Sequence, residues 1–360
     1  MHARGLTLEN DLLSVTVDAQ NGCIQSILDK ETKFDSIAAG GCGNELIAFK
    51  DTPRDFDAWN IDADFVQHFT KLDAVDSVEL VEKGPLRATI RVVRSWQNSK
   101  FIQDISLYSA MNRVDVENKI DWNETHILLK AAFPLAAFSS SATFEIPYGT
   151  IERPTTRNNR FEAAKFEVPA LRWADMGDSA HGFSLINESK YGYDSINNVL
   201  RISLLRSPTW PDPVADRGHH EFAFSLYAHS GDWKQALTVR KGYEFNYKLL
   251  GIQVHSHSGP LPNRNSFISF DSDNVVLTAM KRTEDGNNIL LRLYEWAGKT
   301  GNVDITVPKN STGATLTNLM EQSEHSVLPP SKTDHISVEV HAYEIISVWV
   351  GYESHINAEK

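Results

Sequence analysis

The sequence predicts an all-β protein built as two successive antiparallel sandwiches, and three observations carry that prediction. Runs of five to ten residues with apolar side chains at every second position recur along most of the chain, the signature of half-buried strands. Before residue 233 no window keeps a helical i, i+3, i+4, i+7 pattern for three turns. The texture also breaks once, around 249 to 265, where Gly259, Pro260 and Pro262 punctuate a stretch that reads as a domain connection.

In chain order, Leu12-Leu-Ser-Val-Thr-Val17 is a strand that runs into a turn at Asp18–Gly22, whose Asn21-Gly22 pair tolerates positive φ, and Cys23–Leu28 returns as the second arm of a hairpin. Strands then follow at 75–82, 86–96, 100–110 and 113–122, separated by Lys83-Gly-Pro85, Gln97-Asn-Ser99 and Met111-Asn112. Val114, Val116, Ile120 and Trp122 hold a period of two that only Asn118 interrupts, so these segments form a meander of long antiparallel strands. The single helix expected is Trp233–Tyr243, with Asp232 as its N-cap. Seven short strands follow the connection, at 266–270, 275–281, 289–295, 301–307, 314–319, 335–340 and 344–350, enough for a small separate sandwich. The expected layout is a large sandwich domain at 1–250, a linker at 251–265, a small sandwich at 266–352 and a polar tail at 353–360.

Length and charge set bounds on function. At 360 residues and 41% hydrophobic composition the chain can bury two cores. A formal net charge of −12 argues against nucleic acid or an anionic membrane as partner and for neutral or cationic ligands. Cys23 and Cys42 imply neither a disulfide framework nor a Cys-x-x-Cys metal pair, which favours a reducing compartment. The N-terminal residues lack the apolar core of a secretory signal, and the most apolar stretch, Ile127 to Phe138, is interrupted by Lys130 and Pro134.

The chemistry gathers in two loops. Between the strand at 199–206 and the strand entering at Phe222, Pro208, Pro211 and Pro213 fix φ and remove donors, so the loop is stiff and presents Arg206, Trp210, Asp212, Asp216 and Arg217 reproducibly. His219-His220-Glu221 follows Gly218, and a histidine pair there could donate to a sugar hydroxyl or simply be a solvated strand end. In Asp51–Asp62 the carboxylates Asp55, Asp57 and Asp62 surround Trp59; carboxylates accept from hydroxyls while the apolar face of a sugar packs on an indole. An exposed acidic turn with Trp59 tucked inward is the structural alternative. His255-x-His257 has strand-like metal spacing but no acidic neighbour. No Gly-x-Ser-x-Gly elbow, His-Glu-x-x-His helix or Gly-rich phosphate loop occurs.

Several of these words, taken in order, resemble one family. Phe56-Asp-Ala-Trp-Asn-Ile-Asp62, Ile151-Glu-Arg-Pro-Thr-Thr156, Ala163-Ala-Lys-Phe-Glu-Val-Pro169, Lys190-Tyr-Gly-Tyr-Asp194, Ser203-Leu-Leu-Arg-Ser-Pro208 and the stretch from Asp216 to Phe222 are similar to the C-terminal part of glycoside hydrolase family 38 α-mannosidases of the cytosolic and bacterial type. Leu293-Tyr-Glu-Trp-Ala-Gly298 resembles that family's terminal domain. The resemblance implies a galactose-mutarotase-like super-sandwich followed by a small antiparallel β-sandwich, and a cytoplasmic protein.

The resemblance further implies an upstream α/β domain and helical bundle that supply zinc, through a His-x-Asp pair, another Asp and a later His, together with the carboxylate nucleophile. This chain has no His-x-Asp. Its expected role is therefore noncatalytic, with no cofactor bound by the chain itself: a wall of the active site that meets mannosides or other carbohydrates, and an interface to the N-terminal catalytic domain of the same enzyme. The substrate-side residues expected are Asp57, Trp59, Asp62, Arg206, Trp210, Asp212, Asp216, Arg217, His219 and His220. A free-standing carbohydrate-binding module, or an aldose-epimerase-like enzyme with a converging histidine and carboxylate, are the alternatives.

Overall fold

A computed structural model describes the chain apart from Met1, Leu261, Asn287 and residues 309–310, 327–333 and 353–360; the expected tail thus lies outside the described residues. The chain divides into two compact units, Met1–Lys248 and Leu249–Lys360. Nearly all of its regular structure is antiparallel strand, as the period-two patterning requires.

Among the described residues the first unit holds sheets of nine, six and four strands. The nine-stranded sheet runs, in spatial order, Gly149–Pro154, Ser141–Ile146, Trp173–Gly177, His181–Asn187, Gly218–Ser230, Val114–Trp122, Ser99–Tyr108, Arg87–Trp96 and Ser77–Lys83. The six-stranded sheet runs Val168–Pro169, Gly192–Ile196, Val199–Arg206, Ile127–Pro134, Glu45–Lys50 and Phe69–Lys71. One core joins them, taking Ile90, Ile105, Val116 and Phe224 from the first, Phe133, Leu200 and Ile202 from the second, and Val15 and Ile27 from the four-stranded sheet. Phe133 meets Phe183 at 5.8 Å and Phe224 at 6.0 Å between ring centroids, so the two large sheets pack face to face. Truncating Phe133 to Ala would cost about 3–5 kcal/mol.

The opposite face of the six-stranded sheet is also covered, and this positions the candidate site. Ile47, Phe49, Leu128 and Ala132 form a second apolar cluster with Phe65, which stands on the short 3-10 turn Ala63–Gln67. The excursion between Lys50 and Phe69 is therefore folded down onto the sheet instead of projecting into solvent.

Among the described residues the second unit holds a three-stranded sheet, Ser269–Phe270, Gly301–Thr306 and His335–Val340, and a five-stranded one, Val275–Arg282, Asn288–Glu295, Ile345–Tyr352, Ser311–Thr317 and Ser323–Ser326. Leu291, Leu293, Val303, Ile305, Ile336, Val338 and Val348 fill the space between them. Ser323–Ser326 carries no apolar alternation and is the strand of this unit that patterning misses; in the first unit it also leaves out Glu45–Lys50, Ser141–Ile146, Gly149–Pro154, Trp173–Gly177, His181–Asn187 and Gly192–Ile196.

Two local expectations are corrected. The helix begins at Thr238 and ends at Asn246, because Leu237 takes a left-handed φ of 54° that separates it from the preceding turn. Asp232 caps that turn instead, accepting from the Gln235 amide at 2.8 Å. Cys23 and Cys42 are joined in a disulfide, with Cα atoms 5.1 Å apart, since the hairpin and the Ile24–Gly43 bridge bring them together. The inference of a reducing compartment from cysteine count loses its basis there.

Candidate functional site

Three chain segments meet at one end of the six-stranded sheet. The register pairs Ile127 with Lys50 and Leu128 with Arg206, so Asp51, His126 and Ser207 are the first residues beyond the paired strands. Their backbones tie together: the Asp51 amide donates to His126 at 2.8 Å, and the His126 amide to Ser207 at 2.7 Å. The Asp51–Asp62 loop and the Arg206–Arg217 loop therefore start side by side.

Arg206 and Asp57 then lock the loops reciprocally. Arg206 Nε donates to Asp51 Oδ2, Nη1 to the Ala58 carbonyl at 2.9 Å, and Nη2 to the carbonyls of Asp57, at 2.7 Å, and Asn60. Those carbonyls converge because Phe56, at φ 59°, opens a tight turn whose Trp59 and Asn60 amides both donate back to it. In the other direction, Asp57 Oδ2 accepts from the amides of Thr209 at 2.8 Å and Trp210 at 3.0 Å. Burial opposes ionisation of Asp57, but these two amides and the nearby His126 outweigh it and hold the carboxyl below the usual range. At Asp51 the balance reverses: burial pushes its carboxyl up despite the Arg206 ion pair.

The rings are left outside this clamp. Trp59 and Trp210 are 66% and 60% exposed, yet they meet edge to face at 5.4 Å, and Phe56 is exposed beside Asp57. The reading of Trp59 as an inward-tucked residue is therefore set aside. Arg206 and Asp57, both expected on the substrate side, are engaged within the clamp: Arg206 on Asp51 and three backbone carbonyls, and Asp57 Oδ2 on two amides, while Asp57 Oδ1 accepts no hydrogen bond and lies 3.6 Å from His126 Nδ1. Among the described residues, the Arg217 guanidinium has no such partner and is exposed.

The remaining residues expected at the site separate into four groups. Asp62 Oδ2 accepts from the Arg54 amide at 3.0 Å and Oδ1 from Asn60 at 3.1 Å, so it braces its own loop. Asp212 Oδ1 accepts from the Val214 amide at 2.9 Å, a local turn. His219 lies between Asp121, 2.9 Å from Nδ1, and Glu221, 3.1 Å from Nε2, and these carboxylates raise its pKa. His220 Nε2 bonds the carbonyl of Asp216 at 2.7 Å, and both residues line a cleft of about 420 Å³ with Arg206, Glu167 and Lys190.

Asp51, His126, Glu167 and Lys190 are the residues that sequence reasoning left out of the site. Asp51 carried a signal, a carboxylate directly after the apolar strand Glu45–Lys50; the other three join only through tertiary contacts. Among the described residues no group of three or more His, Cys, Asp or Glu side chains could hold a metal ion.

Comparison with known proteins converges on one family. The model described as "Glycosyl hydrolases family 38 C-terminal domain" matches residues 8–214, and "Glycosyl hydrolases family 38 C-terminal beta sandwich domain" matches 274–348. Alpha-mannosidase G of Dictyostelium discoideum is 32% identical over 301 residues, covering 81% of this chain and 27% of the relative. Alpha-mannosidase 2C1 of Mus musculus is 32% identical over 340 residues, covering 93% of this chain and 32% of the relative. The chain thus spans about a third or less of the length of these curated relatives. The crystal structure of an alpha-mannosidase from Enterococcus faecalis V583 shares the fold with a TM-score of 0.79 at 15% identity, over 98% of this chain and 42% of that one. The all-β architecture and these matches agree: the chain belongs to glycosyl hydrolase family 38, within the region of that family's C-terminal β domains.

Proposed function

We propose that the chain is the noncatalytic β region of a retaining, zinc-dependent α-mannosidase, and that the face bearing Trp59 and Trp210 serves as a wall of the active site and a seat for the catalytic domain. One observation supports this above others. Two indoles and Phe56 stand in solvent on loops that Arg206 and Asp57 hold rigid, an arrangement of apolar surface that the stability of this unit does not call for. Indole faces suit the apolar side of a hexose, and the exposed Arg217, Asp212 and Asp216 at the loop rim suit its hydroxyls. The parent reaction would hydrolyse terminal α-mannosyl linkages, two carboxylates flanking the bond. Zinc, held by residues outside this chain, would grip the sugar hydroxyls. This chain's own part is to orient the sugar and exclude water.

The test is an assay of the purified chain with an aryl α-mannoside, alongside metal analysis. The expected result is no turnover and no stoichiometric zinc. Zinc-dependent turnover by a stripped and reconstituted sample would overturn the noncatalytic reading. A cytoplasmic location belongs to the same proposal, and cell fractionation checks it: recovery of the protein outside the cytoplasm, with Cys23–Cys42 oxidised as in the structure, would overturn it.

A further inference from the structure

We infer that a cleft of about 380 Å³ on the outer face of the nine-stranded sheet, lined by Glu82, Arg91, Ser106 and Glu117, binds a neutral saccharide ring edge-on through adjacent hydroxyls. The site stands on this face alone, whatever the loops of the six-stranded sheet bind. Ala88, Ile90, Ile105 and Leu107 turn into the first unit's core, so Arg87, Thr89, Arg91, Asp104 and Ser106, which alternate with them, turn away from it. No residue of the Asp51–Asp62 or Arg206–Arg217 loops lines the cleft. Its volume falls in the range of roughly 300–1,000 Å³ typical of small-ligand pockets.

A bulge in the edge strand shapes one wall. Where Ser77–Lys83 pairs with Arg87–Trp96, the register shifts between Leu80 and Glu82, leaving Val81 without a partner and 46% exposed. Glu82 is thereby aimed across the face: its Oε2 accepts from Arg87 Nε at 2.7 Å and from Thr89 Oγ1 at 3.2 Å. The Thr89 and Ser106 hydroxyls bond each other at 2.9 Å. Because the Thr89 proton goes to Glu82, Ser106 must donate to Thr89 and offers only lone pairs to a ligand. Arg91 Nε and Nη2 grip the two oxygens of Asp104, both at 2.7 Å, so the guanidinium is fixed with its Nη1 donors unspent.

Glu117 is what points to a ligand. The register sets it directly opposite Asp104, whose one guanidinium partner is already engaged. Glu117 is exposed and, among the described residues, makes no hydrogen bond or ion pair. Like charges facing each other across a ladder cost stability, so the sheet itself gains nothing from a carboxylate there. Glu117 and Ser106 supply acceptors and Arg91 supplies donors, and a planar carboxylate or guanidinium offers two polar atoms to two neighbouring hydroxyls. The charges select against an anion: Glu82, Asp104 and Glu117 outnumber Arg87 and Arg91, so a carboxylated sugar is repelled.

The experiment titrates the intact chain with methyl α-mannopyranoside and, in parallel, with a methyl glucuronide, following binding by calorimetry and ligand-observed NMR. Both titrations are repeated in Trp59→Ala, which removes an indole of the loop face. Saturable binding of the mannoside, tighter than that of the glucuronide and kept in Trp59→Ala, is the expected result. Glu117→Thr keeps β propensity while removing the carboxylate; in the Trp59→Ala background it should bind about tenfold more weakly and melt no lower than its parent. Absence of saturable binding, preference for the glucuronide, or a Glu117→Thr chain that binds as its parent does would each overturn the site. A Glu117→Thr chain that melts well below its parent would make Glu117 a structural residue and overturn it too. Binding lost in Trp59→Ala would move the sugar to the loop face, overturning this cleft and leaving the mannosidase proposal standing.

Discussion

The first unit's clamp and the second unit's Glu295 use the same device to different ends. Both are carboxylates that accept backbone amides from a neighbouring segment. Glu295, fully buried, accepts from Ala297 and Gly298 at 2.8 Å, from Tyr343 at 2.9 Å and from the Asn274 side chain at 2.9 Å; those donors overcome burial and lower its pKa. Asp57 accepts from Thr209 and Trp210. The tryptophans beside them differ. Trp296 is 3% exposed and packed, whereas Trp59 and Trp210 stand in water. In one unit the carboxylate helps bury an indole, and in the other it holds two indoles out. Stability explains the first arrangement; under the proposed function a ligand or a partner surface explains the second.

The largest effect should come from the arrangement that serves stability alone. Glu295→Ala leaves four donors without their acceptor and should destabilise the second unit by at least about 3 kcal/mol, read from urea unfolding. A loss below ~1 kcal/mol would show that water replaces the carboxylate and would remove the contrast. Arg206→Ala comes next, at about 3 kcal/mol, because it strands the buried Asp51 and frees the carbonyls of Asp57, Ala58 and Asn60. Arg206→Lys should recover only part of the loss, since an ammonium can pair with Asp51 without spanning the three carbonyls.

Acidification sharpens the comparison further. Because Asp57 ionises more readily in the folded chain, its stabilisation is present above the ordinary carboxylate range, near pH 4, and is lost as pH falls through its depressed folded value. The stability gap between wild type and Asp57→Asn should therefore be widest at neutral pH and close in acid. The opposite sign is expected at His229, buried beside Asp175 at 2.8 Å. Burial disfavours its charge, but Asp175 wins and raises its pKa. Its contribution should be full below about pH 6.5 and lost as pH rises through the folded value, a dependence that His229→Gln would flatten in pH-dependent melting curves. The smallest change belongs to Trp59→Ala alone: about 0.5–1 kcal/mol, the worth of one edge-to-face contact at the surface.

How much of this was legible in sequence depends on range. The strands at 114–122 and 199–206 were legible because period-two burial is a local property, and both loops were marked by prolines and by carboxylates near Trp59. The role of Arg206 was not legible, because its partners Asp51 and Asn60 lie 155 and 146 residues away, and an arginine next to an exposed loop looks the same whether free or spent. Glu167 and Lys190 join one cleft only after the six-stranded sheet forms. Lys130 looked like an interruption of an apolar run; it is instead a wholly buried ammonium whose counter-ions Glu167 and Asp194 arrive from later strands and loops. The helix start failed on one residue, Leu237, whose left-handed backbone no propensity scale anticipates.

The central claim is that the exposed indoles serve a ligand or a neighbouring domain and not the fold. The direct measurement is the double substitution Trp59→Ala/Trp210→Ala, made both in this chain and in a mannosidase carrying it as the C-terminal region. The account predicts a chain destabilised by no more than about 1.5 kcal/mol, together with a kcat/KM for an aryl α-mannoside reduced at least about tenfold, equivalent to ~1.4 kcal/mol of transition-state binding. A chain destabilised by more than about 3 kcal/mol with unaltered turnover would contradict it and return both tryptophans to the fold.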